Sequence, residues 1–137
     1  MGVNKIEHIG IAVKSLADAS VLYEKLLGVG AYKTELVETE YVITRFFRTG
    51  ESKIELLEAS SDDSPIAKFI AKRGEGIHHI AFHVDDIEKE MERLKSAGFT
   101  LINEQPKYGA DNKLVCFVHP KDTNGTLIEL CQDILNK

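Results

Sequence analysis

The two halves of this sequence repeat each other, and the repeat carries a histidine and a glutamate in strand-like segments. Residues 6–13 (IEHIGIAV) reappear as residues 77–84 (IHHIAFHV), and residues 53–57 (KIELL) reappear as residues 127–131 (LIELC). Four residues hold equivalent positions in these segments: His8, His79, Glu55 and Glu129. Because both halves keep the order of histidine strand and then glutamate strand, the sequence predicts two related modules.

The length of the chain indicates that the two modules fold together. At 137 residues it has the size of one ordinary domain, and each half is too small to bury a good core alone. We therefore expect one domain over residues 1–137. Its first module spans about 5–59, a connector helix about 64–74, and the second module about 76–132.

Composition narrows the class of protein. The chain is 43% hydrophobic and 28% charged, which is typical of a globular protein. No segment approaches the roughly 20 apolar residues that span a bilayer, and the N-terminus enters a strand without an apolar signal region, so we expect a cytoplasmic protein with no membrane partner. A net charge of −5 argues against nucleic acid as a partner. Cys116 and Cys131 are too few for a disulfide framework, and we expect them to pack in strands.

Hydrophobic spacing and turn residues predict a βαβββ order in the first module. A strand over 5–13 leads to a helix that Ser15 begins and Gly28 ends. Three further strands are predicted near 31–38, 41–48 and 52–59. Ser64 and Pro65 then form a good N-cap and first-turn pair for a short helix that ends at Gly74.

The second module repeats this order. A strand over 76–84 is followed by a helix that Asp85 and Asp86 cap and that runs through Lys95. Strands are predicted near 99–104, 112–119 and 124–132.

Strand alternation places the four repeated residues on polar faces. His8 shares its face with Gly10, whereas Ile9 and Ile11 lie on the opposite, aliphatic face, which a helix can cover. His79 shares its face with Ala81 in the same way, and each glutamate alternates with bulky aliphatic residues. We predict an α+β fold in which the two βαβββ modules form a curved mixed sheet around a metal-binding cavity, with the helices outside.

Two histidines and two glutamates on such faces suggest a metal site. A single strand histidine is more often structural, and a single strand glutamate is more often solvated; the repetition is what favours ligands. Buried carboxylates must be paired or bound to metal, and two imidazoles with two carboxylates suit a divalent ion such as Co, Zn, Ni or Mn.

At these residues the chain resembles the vicinal oxygen chelate superfamily, which includes glyoxalases, bleomycin resistance proteins and dioxygenases, and within it the methylmalonyl-CoA epimerase family. The segments that carry the resemblance are residues 8–13 (HIGIAV), 64–69 (SPIAKF), 74–82 (GEGIHHIAF), 84–87 (VDDI), 119–122 (HPKD) and 125–130 (GTLIEL). The first segment is widespread in the superfamily, whereas the middle and C-terminal segments together are fairly specific. The resemblance covers nearly the whole chain.

The resemblance implies His8, His79 and Glu129 as metal ligands, with Glu55 at the site of a fourth ligand that is Gln or Glu in the family. It implies an isomerase that removes the proton from the carbon between a thioester and a carboxylate of an acyl-CoA substrate, through a metal-stabilised enolate. Glu129 is the best candidate for an acid/base residue, acting also as a ligand, and Glu55 is a second candidate. A homodimer with each metal site inside one chain is expected.

One segment departs from the epimerase pattern. Some epimerases are thought to use a second glutamate on the strand before that of Glu55, where this chain has Thr44, and residues 37–42 lack the usual turn sequence. Glu38, Glu40 or Glu55 serves instead, or the substrate differs.

Two other functions remain open at this point. A glyoxalase I type lactoylglutathione lyase uses the same ligand set with an enediolate. A non-catalytic small-molecule binding protein of this fold usually lacks the metal site, so the presence of all four residues counts against it. Fold kinship alone does not decide between such functions.

Overall fold

The computed structural model describes residues 2–135, so residue 1 and residues 136–137 of the predicted 1–137 domain lie outside the described part of the chain. The described residues divide into two compact units. The N-terminal unit consists of residues 8–78, and the C-terminal unit consists of residues 79–135 together with residues 2–7.

The N-terminal unit contains a four-stranded mixed sheet and two helices. In chain order its elements are β1 (Val3–Ala12, of which residues 8–12 lie in this unit), α1 (Leu16–Leu27), β2 (Lys33–Val37), β3 (Val42–Thr49), β4 (Ser52–Ala59) and α2 (Pro65–Arg73). The strands lie in the order β2-β3-β4-β1, and β1 and β4 are parallel while the other pairs are antiparallel.

Both helices of this unit have the ends that the sequence predicts. The Ser15 side chain accepts a hydrogen bond from the backbone N–H of Asp18, and Gly28 ends α1 in the left-handed region at φ 75°. The Ser64 side chain caps α2 by accepting from the N–H of Ile66, and Pro65 occupies the first turn. Local chemistry therefore fixes both helix starts.

The two helices cover opposite faces of this sheet. On one face, Leu16 of α1 packs with Val13, Phe47 and Leu56. Of the apolar α1 positions that fit helical spacing, two lie outside this core, and they are 58% and 70% exposed: Leu22 and Leu26. On the other face, the core comprises Ala12, Val42, Leu57 and Ile66 of α2. Since Ala12 shares a strand face with His8, and Leu57 with Glu55, α2 covers one end of the face that carries these two candidates.

The C-terminal unit repeats the arrangement. Its elements are residues 3–7 of β1, residues 79–84 of β5 (Gly76–Val84), α3 (Ile87–Ser96), β6 (Lys107–Gly109), β7 (Lys113–Val118) and β8 (Ile128–Asp133). The strand order is β5-β8-β7-β6, with β5 and β8 parallel. Ile87, Met91 and Leu94 of α3 pack against Val84 and Leu130.

One predicted strand is wrong. Residues 99–104 form no strand, and only Leu101 makes an isolated bridge, to Val118. The reason is that the Asn103 side chain accepts the backbone N–H of Phe117, which takes the place of a ladder hydrogen bond. The short strand β6 follows instead, three residues past Glu104.

Three α-helices and eight strands in residues 2–135 confirm the predicted α+β class with two βαβββ modules. None of the helices in this part of the chain is long and apolar enough to cross a bilayer.

Candidate metal centre

In the N-terminal unit, His8 and Glu55 form a buried pair. They lie on the parallel strands β1 and β4, where Glu55 is opposite Gly10. The His8 Nε2 atom is 3.2 Å from Glu55 Oε1, and each residue is only 5% exposed. Gly10 has no side chain, so the glutamate can lean across β1 towards the histidine two positions earlier.

In the C-terminal unit, His79 and Glu129 form an equivalent pair. Glu129 on β8 is opposite Ala81 on β5, again two positions beyond the histidine and again a small residue. The Nε2 atom of His79 is 3.3 Å from Glu129 Oε1, and the residues are 4% and 6% exposed. The ring of Phe117, which lies opposite Glu129 on β7, stands edge-on to the imidazole at 6.1 Å.

The two halves therefore repeat each other in the register of the His and Glu strands and in the His–Glu contact, as well as in sequence. Each unit places one imidazole nitrogen and one carboxylate oxygen side by side with little access to water. A buried carboxylate is costly without a cation or several donors, and imidazole and carboxylate are the ligand types of Zn and related first-row ions. The donor set of each pair thus fits half of the predicted four-ligand metal site.

Lys53 is a charged residue whose burial beside the first pair the sequence does not predict. It lies directly opposite His8 and two positions before Glu55, so it shares their face. It is only 7% exposed. The spacing of two residues between Lys53 and Glu55 shows that both lie on the same face of β4. A lysine in a strand-like segment, however, does not indicate whether its side chain is buried.

Glu7 is a second residue whose burial the sequence does not predict. The sequence favours a solvent-facing acid there, but Glu7 is 3% exposed. Strand alternation identifies the face on which a residue lies; it does not show whether that face is covered.

The other histidines have contacts of their own. His78 lies on the opposite side of β5 from His79, and its ring meets that of Phe69 at 5.0 Å. His83 lies 3.0 Å from the Asn4 side chain and 3.5 Å from Asp133. The Lys113 ammonium donates to Asp133 and lowers the pKa of this carboxyl below its usual range.

The residues that depart from the epimerase pattern are now placed. Thr44 lies on β3 opposite Glu35 of β2, and it is 1% exposed. Glu38 and Glu40 lie in a 3₁₀ turn after β2, beyond the row that pairs Val37 with Val42. That row is four residues further along β3 than Phe46, which is opposite Glu55, so the structure does not bring either turn glutamate beside Glu55.

Comparisons with known proteins agree with the fold and the motifs. Residues 7–117 match the glyoxalase/bleomycin resistance protein/dioxygenase superfamily. The ethylmalonyl-CoA/methylmalonyl-CoA epimerase of Cereibacter sphaeroides is 42% identical over 95% of this chain and 98% of its own.

Two solved structures are also similar. The methylmalonyl-CoA epimerase of Mycobacterium tuberculosis has a TM-score of 0.93 and 33% identity over 97% of this chain and 90% of its own. A variant of the Streptomyces coelicolor methylmalonyl-CoA epimerase, in complex with 2-nitronate-propionyl-CoA, has a TM-score of 0.92 and 31% identity over 98% and 100% of the two chains. The chain belongs to the glyoxalase/bleomycin resistance protein/dioxygenase superfamily, and its relatives within it include methylmalonyl-CoA epimerases.

Proposed function

We propose that the protein is a metal-dependent epimerase of methylmalonyl-CoA or a related acyl-CoA thioester. The observation that carries this proposal is the pair of buried His–Glu contacts at equivalent register, in a chain of which 95% aligns with an epimerase. A similar structure holds an acyl-CoA compound, which supports the substrate class.

We assign the four residues to one divalent ion of the Co, Zn, Ni or Mn kind. His8 and His79 are the imidazole ligands, and Glu55 and Glu129 are the carboxylate ligands. The assignment is supported by the repeated set of donor atoms and by the burial of the four residues, each of which is 4–6% exposed. Such an ion would draw electron density from the thioester and carboxylate oxygens of a substrate and so make the carbon between them more acidic.

The proton itself is moved by the protein. Glu129 is the first acid/base residue in this proposal: its carboxylate removes the C2 proton, or its carboxylic acid returns one. Phe117 lies beside the His79–Glu129 pair and helps to keep water away. Since general acid/base groups contribute about 10²–10⁴-fold to rates, loss of Glu129 should be severe.

The test is deuterium uptake at C2. The protein is loaded with cobalt and incubated in D₂O with (2R)- and (2S)-methylmalonyl-CoA, and incorporation is followed by NMR. We expect exchange with both substrates, and at least a 100-fold loss in a Glu129→Gln variant whose melting temperature is retained. Glu92→Gln, a change at an exposed acid on α3, is the matched control and should be fully active.

Two results would overturn the proposal. One is the absence of exchange together with turnover of the methylglyoxal–glutathione hemithioacetal, which would indicate a lactoylglutathione lyase. The other is a protein that binds none of the four ions. The single domain over residues 1–137, the cytoplasmic location and the homodimer stay predictions.

A further inference from the structure

The C-terminal unit carries a lysine on the same sheet face as Glu129. Residues paired across neighbouring strands point to the same side of a sheet. Lys107 of β6 is opposite Val115 of β7, and Phe117, two positions after Val115, is opposite Glu129 of β8. Lys107 and Glu129 therefore lie on one face of this sheet, with only β7 between their strands.

The Lys107 side chain extends along this face towards Glu129. Its Nζ atom is 5.6 Å from the centroid of the Phe117 ring, although Lys107 itself is paired one step away, with Val115. A cation over an aromatic ring is attracted by the negative face of the ring. The same ring stands edge-on to the imidazole of His79 at 6.1 Å. One aromatic ring therefore contacts both the Lys107 ammonium and the His79–Glu129 pair.

Lys107 is accessible from solvent, whereas the pair beside it is not. His79 and Glu129 are 4% and 6% exposed, but Lys107 and Phe117 are only partly buried. The backbone of Phe117 is held in place because its N–H donates to the Asn103 side chain at 2.9 Å. An anion can thus reach the Lys107 ammonium without opening the core of this unit.

A second lysine on the same face is less suitable for binding an anion. Lys113 lies two positions before Val115 on β7, on the other side of Val115 from Phe117, and so further from Glu129. Its ammonium donates to Asp133 and lowers the pKa of that carboxyl, which keeps the carboxylate ionised at neutral pH. Lys113 is therefore already engaged with an acid of its own unit.

The proposed reaction places an anionic group of the substrate near Glu129. A general base lies within about 2.6–3.2 Å of the proton that it removes, and in a malonyl-type thioester the free carboxylate is bonded to the same carbon as that proton. The substrate carboxylate must therefore approach the Glu129 carboxylate. Like charges brought together at a binding site are unfavourable, so a cation is needed on this side of the substrate.

We propose that Lys107 binds the free carboxylate of the substrate and so selects malonyl-type thioesters over simple acyl thioesters. This inference rests on the proposed function and on residues of the C-terminal unit alone. The ammonium donates a charge-assisted hydrogen bond of about 2.7–2.9 Å to the carboxylate. Its positive charge also offsets the negative charge that develops on the substrate when C2 loses its proton. Lys107 itself neither gains nor loses a proton.

The test compares two ligands that differ only in the carboxylate. Calorimetry measures how the cobalt-loaded protein binds propionyl-CoA and an equilibrated mixture of the methylmalonyl-CoA stereoisomers. Lys107→Met should weaken methylmalonyl-CoA binding by about 10–100-fold, as expected for loss of a hydrogen bond to a charged group, and change propionyl-CoA binding by no more than a few-fold. Lys107→Arg, which keeps the charge, should lose less than Lys107→Met.

The matched control is Lys95→Met. Lys95 is an exposed lysine of α3, a helix that packs on the opposite face of the sheet through Leu94 and Leu130. This variant should bind both ligands as the wild type does. The cobalt affinity of Lys107→Met should also equal that of the wild type, because Lys107 is not among the assigned metal ligands.

Each contrary result has its own meaning. Wild-type affinity of Lys107→Met for methylmalonyl-CoA would overturn the assignment. Equal weakening with both ligands would overturn it as well, because the CoA portion, with its phosphates, is what the two ligands share. If the wild-type protein loaded with cobalt binds neither ligand, the proposed function itself fails.

Discussion

Metal binding should raise the melting temperature of this protein by an amount that can be worked out beforehand. A ligand that binds only the folded state, present at 100 times its Kd, adds about 2.7 kcal/mol of stability. The entropy of unfolding is about 2.1 cal/mol/K per residue, so 137 residues give about 0.29 kcal/mol/K. The expected rise is therefore about 9 °C.

Removing one ligand should nearly abolish this rise. If His8→Ala raises the Kd 100-fold, the same metal concentration equals the new Kd, and the added stability falls to about 0.4 kcal/mol. The shift then becomes about 1.4 °C. The substitution acts on a histidine that is 5% exposed and 3.2 Å from Glu55, so the metal-free melting temperature must be measured separately for each protein.

The assay is thermal unfolding by circular dichroism after EDTA treatment, with and without cobalt, and with Kd measured by calorimetry. His78→Ala is the matched control: it removes a neighbouring imidazole that packs on Phe69, so the variant can melt earlier but should keep the full metal shift. A wild-type shift below about 2 °C with all four ions, or a full shift in His8→Ala, would refute the reasoning.

Three further outcomes are expected. Glu55→Gln should keep a metal-induced shift, because the family accepts an amide there; loss of all metal binding in calorimetry would contradict this. Leu56→Ala should lower the free energy of unfolding by about 2–5 kcal/mol in urea titrations, because Leu56 is a fully buried residue of β4 that packs under α1. A change below about 1 kcal/mol would mean that neighbouring side chains move in and fill the cavity. Burial raises the pKa of the Cys116 thiol and keeps it protonated at neutral pH, and Cys131 is fully buried as well, so Ellman's reagent should react with neither before urea unfolds the protein.

The helices of this fold could be predicted well because their signals are local. Ser64 with Pro65 begins α2 and Gly74 ends it, as the sequence indicates. The cap of α1 at Ser15 and its end at Gly28 are equally local. Such residues act on backbone groups only two to four positions away, so no tertiary information is needed.

The region after α3 was harder because its hydrogen bonds are not local. Phe99 and Leu101 pack on the core, so their alternation resembles a strand. The side chain of Asn103, however, accepts the N–H of Phe117, fourteen residues away, and this bond replaces a strand pairing. Sequence alternation cannot show which partner a side-chain amide will find.

The candidate site was predictable as far as the faces of its strands. His8 and Glu55 occupy the faces that alternation gives, and the repeat identifies His79 and Glu129 as their equivalents. The contact within each pair depends on register, and the position of Lys107 over the ring of Phe117 depends on the pairing of β6 with β7. Burial of Lys53 depends on the elements that cover it. These features arise only when distant segments pack.

Strand β1 has a consequence for how this protein could be divided. Its residues 3–7 belong to the C-terminal unit, where Asn4 contacts His83 and Asp85, while residues 8–12 belong to the N-terminal unit. If the chain were cut between the two modules, the second fragment would lack residues 3–7 of its own unit, because those residues belong to the first fragment. We therefore expect the two fragments to form the folded protein only when both are present from the start of refolding. A gene that carries the second module alone should yield a protein whose C-terminal unit lacks residues 3–7.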